Sequence, residues 1–185
     1  MEFSIKAAAP EKLKTDCLIL ARFADGESGP QLAAIDTASK GLLGKLIKRD
    51  LDDKAGSLFA LPTLPGVVAE RVLVVSLGKR AEFADKALRS ALIAAGKWLA
   101  TSKVKSAAFG TTDLVAGGLE LPASLRTAAI LLADACYRFD AVRAKPDEKP
   151  AGPAKLEFLL QGKSDAAART ALEQAMKQAR AGQPL

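Results

Sequence analysis

With 185 residues, 49% of them hydrophobic and 26% charged, the chain has the size and composition of one globular domain with its own core, which excludes a disordered chain and leaves little room for two full domains. No apolar run approaches the roughly 20 residues that a membrane span needs, and Met1–Lys6 has neither a basic leader nor an apolar stretch ending in small residues, so the expectation is no signal peptide, no membrane and a cytoplasmic location. The formal charge of +6 favours an acidic partner, while the lack of any histidine removes the commonest general base and metal ligand and counts against serine, cysteine and zinc hydrolase schemes.

Taken in chain order, a strand is predicted at Phe3–Ala7 and a second at Cys17–Phe23, both rich in branched aliphatic residues. Leu32, Ile35, Ser39, Leu42, Leu43 and Leu46 then fall on one helical face, with Gly41 and Gly44 expected to break that stretch into two pieces. Strands follow at Ser57–Leu61 and Arg71–Leu77. The run Val72-Leu73-Val74-Val75 lacks alternation, which predicts burial on both faces and a place at the sheet centre. A helix carrying Leu88, Leu92, Ala95 and Leu99 is expected to start at a capping Asp85. After a strand at Ser106–Gly110, a third helical stripe begins at Pro122 and continues through Leu125, Ala129, Leu132 and Cys136. Lys145–Pro153, rich in proline and charge, is the one clear linker. It leads to a strand at Lys155–Leu160 and a last helix from Ser164 or Asp165, with Leu172, Ala175, Met176 and Ala179 facing inward. This alternation of strand and helix predicts a three-layer α/β/α sandwich with a mixed, mostly parallel sheet of about six strands.

Few side chains in this order carry chemistry. Cys17 and Cys136 lie in core segments and suit small buried residues better than a disulfide or a metal site, for which no C-x-x-C spacing exists. Asp50, Asp52 and Asp53 lie close enough to suggest a carboxylate metal site, but their place between a helix end and Lys54-Ala55-Gly56 fits a polar turn. Ser76-Leu77-Gly78-Lys79 follows a strand where an open sheet would bind a ligand, yet it matches neither phosphate-binding glycine pattern and is expected to be a turn. Ala116-Gly117-Gly118-Leu119 offers one glycine pair, a weak phosphate signal. Trp98 sits beside its helix's inward stripe, as a packing residue would. The densest basic group, Lys45, Lys48 and Arg49, is answered at once by aspartates. Together with Lys145 and Lys149 of the linker it supplies the candidate DNA contacts, with steep salt dependence expected of backbone binding.

Several stretches, in order, resemble the amino-terminal domain of the leucyl aminopeptidase (cytosol aminopeptidase) family. They are Met1–Lys6, Pro10-Glu11-Lys12, Asp16–Leu20, Leu32–Asp36 with Ser39 and Gly41, Asp50–Gly56, Leu64-Pro65-Gly66-Val67, Glu70–Lys79 and Tyr137-Arg138-Phe139-Asp140. The resemblance implies a macro-domain-like fold, and it implies that the two-metal peptidase site, with zinc or manganese, lies in a separate carboxy-terminal domain whose N-T-D-A-E-G-R-type motif is absent here. No catalytic, cofactor or metal residue is therefore expected in this chain. Residues 1–163 would form the macro-like domain, and residues 164–185 a helix leading toward the catalytic domain. The implied role is assembly of a hexamer with the chain's own peptidase domain and sister subunits, and control of access to the peptidase sites. DNA binding, known among bacterial members, is the alternative. A retained ADP-ribose pocket is a third reading, disfavoured because the asparagine- and glycine-rich loops of such pockets are not recognisable.

Overall fold

Successive residues of a strand face opposite sides of a sheet, and this alternation sorts the apolar residues into two layers. In the computed structural model, which describes residues 1–112, 120–142, 152–160 and 166–181, six strands form one sheet. They are β1 (Glu2–Ala7), β2 (Cys17–Arg22), β3 (Leu58–Leu61), β4 (Val72–Ser76), β5 (Ser106–Gly110) and β6 (Lys155–Leu160). Their order is β1-β6-β5-β2-β4-β3, and every neighbouring pair is parallel except β3 with β4. The described helices are α1 (Pro30–Ala38), α2 (Leu42–Asp50), α3 (Asp85–Thr101), α4 (Leu121–Val142) and α5 (Ala166–Ala181). Short 3-10 turns lie at Pro10–Lys12 and Arg80–Glu82.

One face of the sheet presents Cys17, Ile19, Leu73, Val75, Phe109 and Phe158 to α3, α4 and α5. The other presents Leu18, Leu20, Val72, Val74 and Leu159 to α1 and α2. The three-layer α/β/α sandwich with a mixed, mostly parallel sheet is thus as the strand and helix periodicities predict. Within the larger layer, Phe158 links Phe3 and Phe109 at ring-centre distances of 6.2 and 6.1 Å.

Three local expectations need correction. The all-buried strand β4 is not the centre of the sheet, because only the short antiparallel β3 lies beyond it; the middle pair is β5 and β2. Burial on both faces comes from helices above and below and does not report lateral position. The break in the first helical stretch falls at Lys40 and Gly41, both with positive φ (56° and 82°), while Gly44 stays inside α2. Its role there is to leave room for the Asp36 carboxylate, which accepts a 2.8 Å hydrogen bond from the Gly44 N–H and so satisfies one of the free amides of the first turn of α2. Asp85 is not the cap of α3 either. Ala84 holds that position, and Asp85 is the first helical residue, paired with Arg89 one turn on at 2.8 Å. A carboxylate there still complements the helix dipole.

The remaining elements agree with the sequence pattern to within a residue at most positions. Leu88, Leu92, Ala95 and Leu99 of α3 are buried, as are Leu125, Ala129, Leu132 and Cys136 of α4 and Leu172 and Ala175 of α5. Trp98 packs at the edge of the larger layer. The side chains of Met176 and Ala179, the glycine pair at 117 and 118, most of the 145–153 linker, and positions 164 and 165 lie outside the described residues. Helices α3 and α4 approach closely at Gly96, where a Cβ would come within 2.7 Å of the Ala135 Cβ.

Two predictions follow from this packing. Gly66 has φ +79°, and a Cβ there would overlap the Ala38 carbonyl oxygen at the end of α1, whereas a Cβ at Gly41 would meet nothing within 4 Å. Gly66→Ala is expected to cost roughly 3 kcal/mol in a denaturant titration and Gly41→Ala only about 1 kcal/mol, because the second carries the left-handed backbone penalty without the clash. The second concerns Cys17, whose thiol is pushed up to about 12 by burial, against smaller opposing effects of the Arg71 charge and a hydrogen bond from the Leu73 backbone. The unfolded thiol ionises near its ordinary value of 9.0 while the folded one keeps its proton. Stability should therefore be intact below pH 9 and fall as pH rises from there toward 12, by at most about 1.4 kcal/mol per pH unit. Cys17→Ala should flatten that alkaline slope in pH-dependent unfolding, whatever it does to stability at pH 7.

Candidate functional site

In an open α/β sheet the ligand crevice lies beyond the carboxyl ends of the strands, where the chain's connections leave in opposite directions. Here that point falls between β2, which leads toward β4 and β3, and β5, which leads toward β6. Several of the described side chains at this end bond to one another and to the strand ends.

Gln31, in the first turn of α1 and only 4% exposed, reaches over the ends of β5 and β6. Its Nε2 donates to the Leu159 carbonyl at 3.0 Å. Its Oε1 accepts from the Thr112 backbone N–H at 3.0 Å and from the Thr112 hydroxyl at 3.1 Å. The Gln31 N–H in turn donates to Thr112 Oγ1 at 3.3 Å. The buried Thr111 hydroxyl donates to the same Leu159 carbonyl at 2.7 Å. Gly110 is needed directly beneath, since a Cβ there would sit 2.8 Å from Gln31 Oε1.

Beyond β2 and β4 the contacts are aromatic. Phe23 meets the edge of Phe83 with ring centres 4.9 Å apart. The Arg80 guanidinium lies 4.5 Å over the Phe23 ring, a cation–π contact. Arg80 also donates to the carbonyls of Asp25 (3.2 Å) and Glu27 (2.6 Å), and its backbone N–H donates to Asp25 Oδ1 at 2.8 Å. The loop after β2 is thereby tied to the loop after β4. On the opposite side of β2, Arg22 pairs with Asp53 at 3.0 Å, and the Ser76 hydroxyl donates to the Asp53 carbonyl while accepting from the Gly78 N–H. Where the sequence predicts a turn after Ser76, the chain instead runs on beside β2, with the Leu77 N–H donating to the Arg22 carbonyl and the Ala24 N–H to the carbonyl of Gly78, whose φ is +78°. The Ser76 hydroxyl is committed to backbone partners, so it is not held as a nucleophile beside a base.

A cleft of about 430 Å³ opens farther along the same end, between Ala7–Glu11 and the first turn of α1. Its walls are mostly alanine and proline, and Gln31 contributes a side chain whose polar atoms are already engaged.

The clustered aspartates separate in space according to their partners. Asp50 pairs with Arg49 at 2.8 Å, Asp52 accepts the Lys54 N–H in a tight turn, and Asp53 goes to Arg22. Among the described residues no group of three or more His, Cys, Asp or Glu side chains converges, so the donor set that a two-metal centre needs is not assembled by them. Lys45, Lys48 and Arg49 all lie exposed on α2. The hydrogen bond between Arg49 and Asp50 holds the Asp50 carboxyl below its ordinary range and raises the guanidinium, so that Arg49 is already neutralised locally. Lys145 and Lys149 lie outside the described residues.

Sequence reasoning missed Gln31, Phe23, Arg80 and Phe83. A single glutamine in the first turn of a helix carries no pattern that separates a buried clamp from a solvated residue. Phe23 was legible as the end of a strand, but its partners come from 57 to 60 positions away.

The comparisons agree with this geometry. Residues 19–146 match the family model described as the cytosol aminopeptidase family, N-terminal domain. A probable cytosol aminopeptidase of Aromatoleum aromaticum is 47% identical over 163 residues, which cover 86% of this chain and 33% of that protein. The chain thus spans about a third of the length of such curated relatives. Among solved structures, a tomato leucine aminopeptidase mutant aligns with a TM-score of 0.68 at 21% identity over 97% of this chain and 36% of that one. A Trypanosoma brucei macrodomain in complex with ADP-ribose aligns with a TM-score of 0.68 at 14% identity over 94% and 68% of the respective chains. These two likenesses concern the fold, which is that of a macro domain. The nucleic-acid reading gains no support from them. With a family model covering most of the sheet and its helices, and relatives that agree through nearly the whole sequence, the chain belongs to the cytosol aminopeptidase family and carries its amino-terminal domain.

Proposed function

We propose that this chain is the non-catalytic amino-terminal domain of a leucyl aminopeptidase, a cytoplasmic two-metal exopeptidase, and that it serves assembly of the enzyme and access to its peptidase sites. The observation that carries the reading is the match of residues 19–146 to the family's N-terminal domain, and the mutual contacts of Gln31, Phe23, Phe83 and Arg80 at the described strand ends support it. The chain's match to about a third of its relatives supports the same view. In it, the pair of divalent ions, zinc or manganese, belongs to the peptidase domain. The partners are that domain and the sister subunits of a hexamer. Residues 1–163 are the macro-like body, and residues 164–185 lead toward the peptidase domain, with α5 seated on α4.

The chain with added zinc or manganese should release no leucine from a leucyl peptide substrate; metal-dependent turnover would overturn the proposal. ADP-ribose, which the trypanosomal macrodomain holds, should give no binding heat in calorimetry, and a saturable signal would show that this domain takes a ligand of its own. If Gln31 is a structural clamp, Gln31→Leu should lower stability by roughly 1–3 kcal/mol, because the half-buried Thr112 amide loses its acceptor. Chemical denaturation measures it, and an unchanged midpoint would remove the clamp from the argument.

A further inference from the structure

We propose that the outer edge of β1 pairs antiparallel with the same strand of a second copy of the chain, with Ser4 on the two-fold axis. The pairing deepens the assembly reading and rests on it for its biological role, but its geometry stands on β1 alone.

Among the described residues strand β1 ends the sheet, with β6 on its inner side. The Glu2 N–H donates to the Ala154 carbonyl, and Glu2 is in register with Lys155. In a parallel ladder a residue that bonds inward has its N–H and C=O on the same side, and its neighbours point theirs outward. Glu2, Ser4 and Lys6 therefore serve β6, and Phe3, Ile5 and Ala7 direct their backbone groups away from the sheet. An edge of this kind is a template for another strand.

The side chains select one register. With Ser4 opposite Ser4, Phe3 of each copy faces Ile5 of the other, and these are outward-bonding residues, as a closely hydrogen-bonded antiparallel pair requires. The same register sets Glu2 against Lys6 at both ends, two exposed opposite charges each. A two-residue slip in either direction leaves Glu2 or Lys6 without its partner, and a one-residue slip opposes outward-bonding residues to inward-bonding ones. In-register parallel pairing stacks Glu2 on Glu2 and Lys6 on Lys6. The apolar pair also falls on the correct face: Phe3 is buried and Ile5 is half-buried, both against the α3, α4 and α5 layer, so pairing continues that layer across the axis. A two-fold contact in which residue i meets j and j meets i is the commonest closed symmetry of homo-oligomers.

Charges on an edge strand can equally serve to repel other strands, and charge reversal separates the two roles. Sedimentation equilibrium on the chain from micromolar to millimolar concentration should show a monomer–dimer equilibrium. Lys6→Glu, which places two carboxylates together at each end, should weaken the dimer about tenfold. Adding Glu2→Lys should restore it, with unchanged far-ultraviolet circular dichroism throughout because both residues are exposed. A monomer at every concentration, a Lys6→Glu variant that dimerises as well as the parent, or a double reversal that fails to recover would each overturn the pairing. Those results would leave the non-catalytic reading standing, whereas release of leucine by the chain would end that reading and leave the pairing intact.

Discussion

Cys17–Ala21 are almost completely sealed from water, and the architecture is organised around keeping them so. Strand β2 is flanked by β4 on one side and β5 on the other, all parallel, and a parallel ladder has no solvated face to offer. Its backbone groups are satisfied by the ladder and its side chains by helices, which forces one layer of α3, α4 and α5 and another of α1 and α2. The raised Cys17 thiol is a local reading of the same condition, since burial is the largest influence on it.

A dry parallel core leaves a problem at its carboxyl end, where strands stop and backbone groups lose their neighbours. In ligand-binding α/β domains the bound molecule takes up part of that role. In this chain the carbonyl of Leu159 is satisfied by Gln31 and Thr111, and the Thr112 amide by Gln31. The loop after β2 is held by Arg80. The same topology is found in a Trypanosoma brucei macrodomain in complex with ADP-ribose; in this chain the described residues at these strand ends bond to one another. Among the described residues the outer edge of β1 lies at the periphery of the sheet, with no strand beyond it.

The sequence disclosed its secondary structure well because periodicity is a local property. The stripes of Leu88, Leu92, Ala95 and Leu99 and of Leu125, Ala129, Leu132 and Cys136 were legible and are buried. The aspartate turn was legible from Lys54-Ala55-Gly56 beside it. The limits were reached at Asp85 and Gly44, where the outcome depended on one neighbour. Ala84 occupied the cap before Asp85, and the Asp36 carboxylate stabilised the backbone at Gly44 well enough for α2 to pass through it.

By itself, then, the amino-acid sequence determined the class of fold, the family likeness and the absence of histidine, because these follow from composition, order and short-range spacing. The strand order, the lateral position of β4 and the identity of the residues that close the carboxyl end were decided only by tertiary structure. Each of these depends on contacts between segments far apart in the chain, such as Gln31 with Leu159 across 128 positions. Pattern along a chain records which face a residue turns inward, but not which distant residue it meets there.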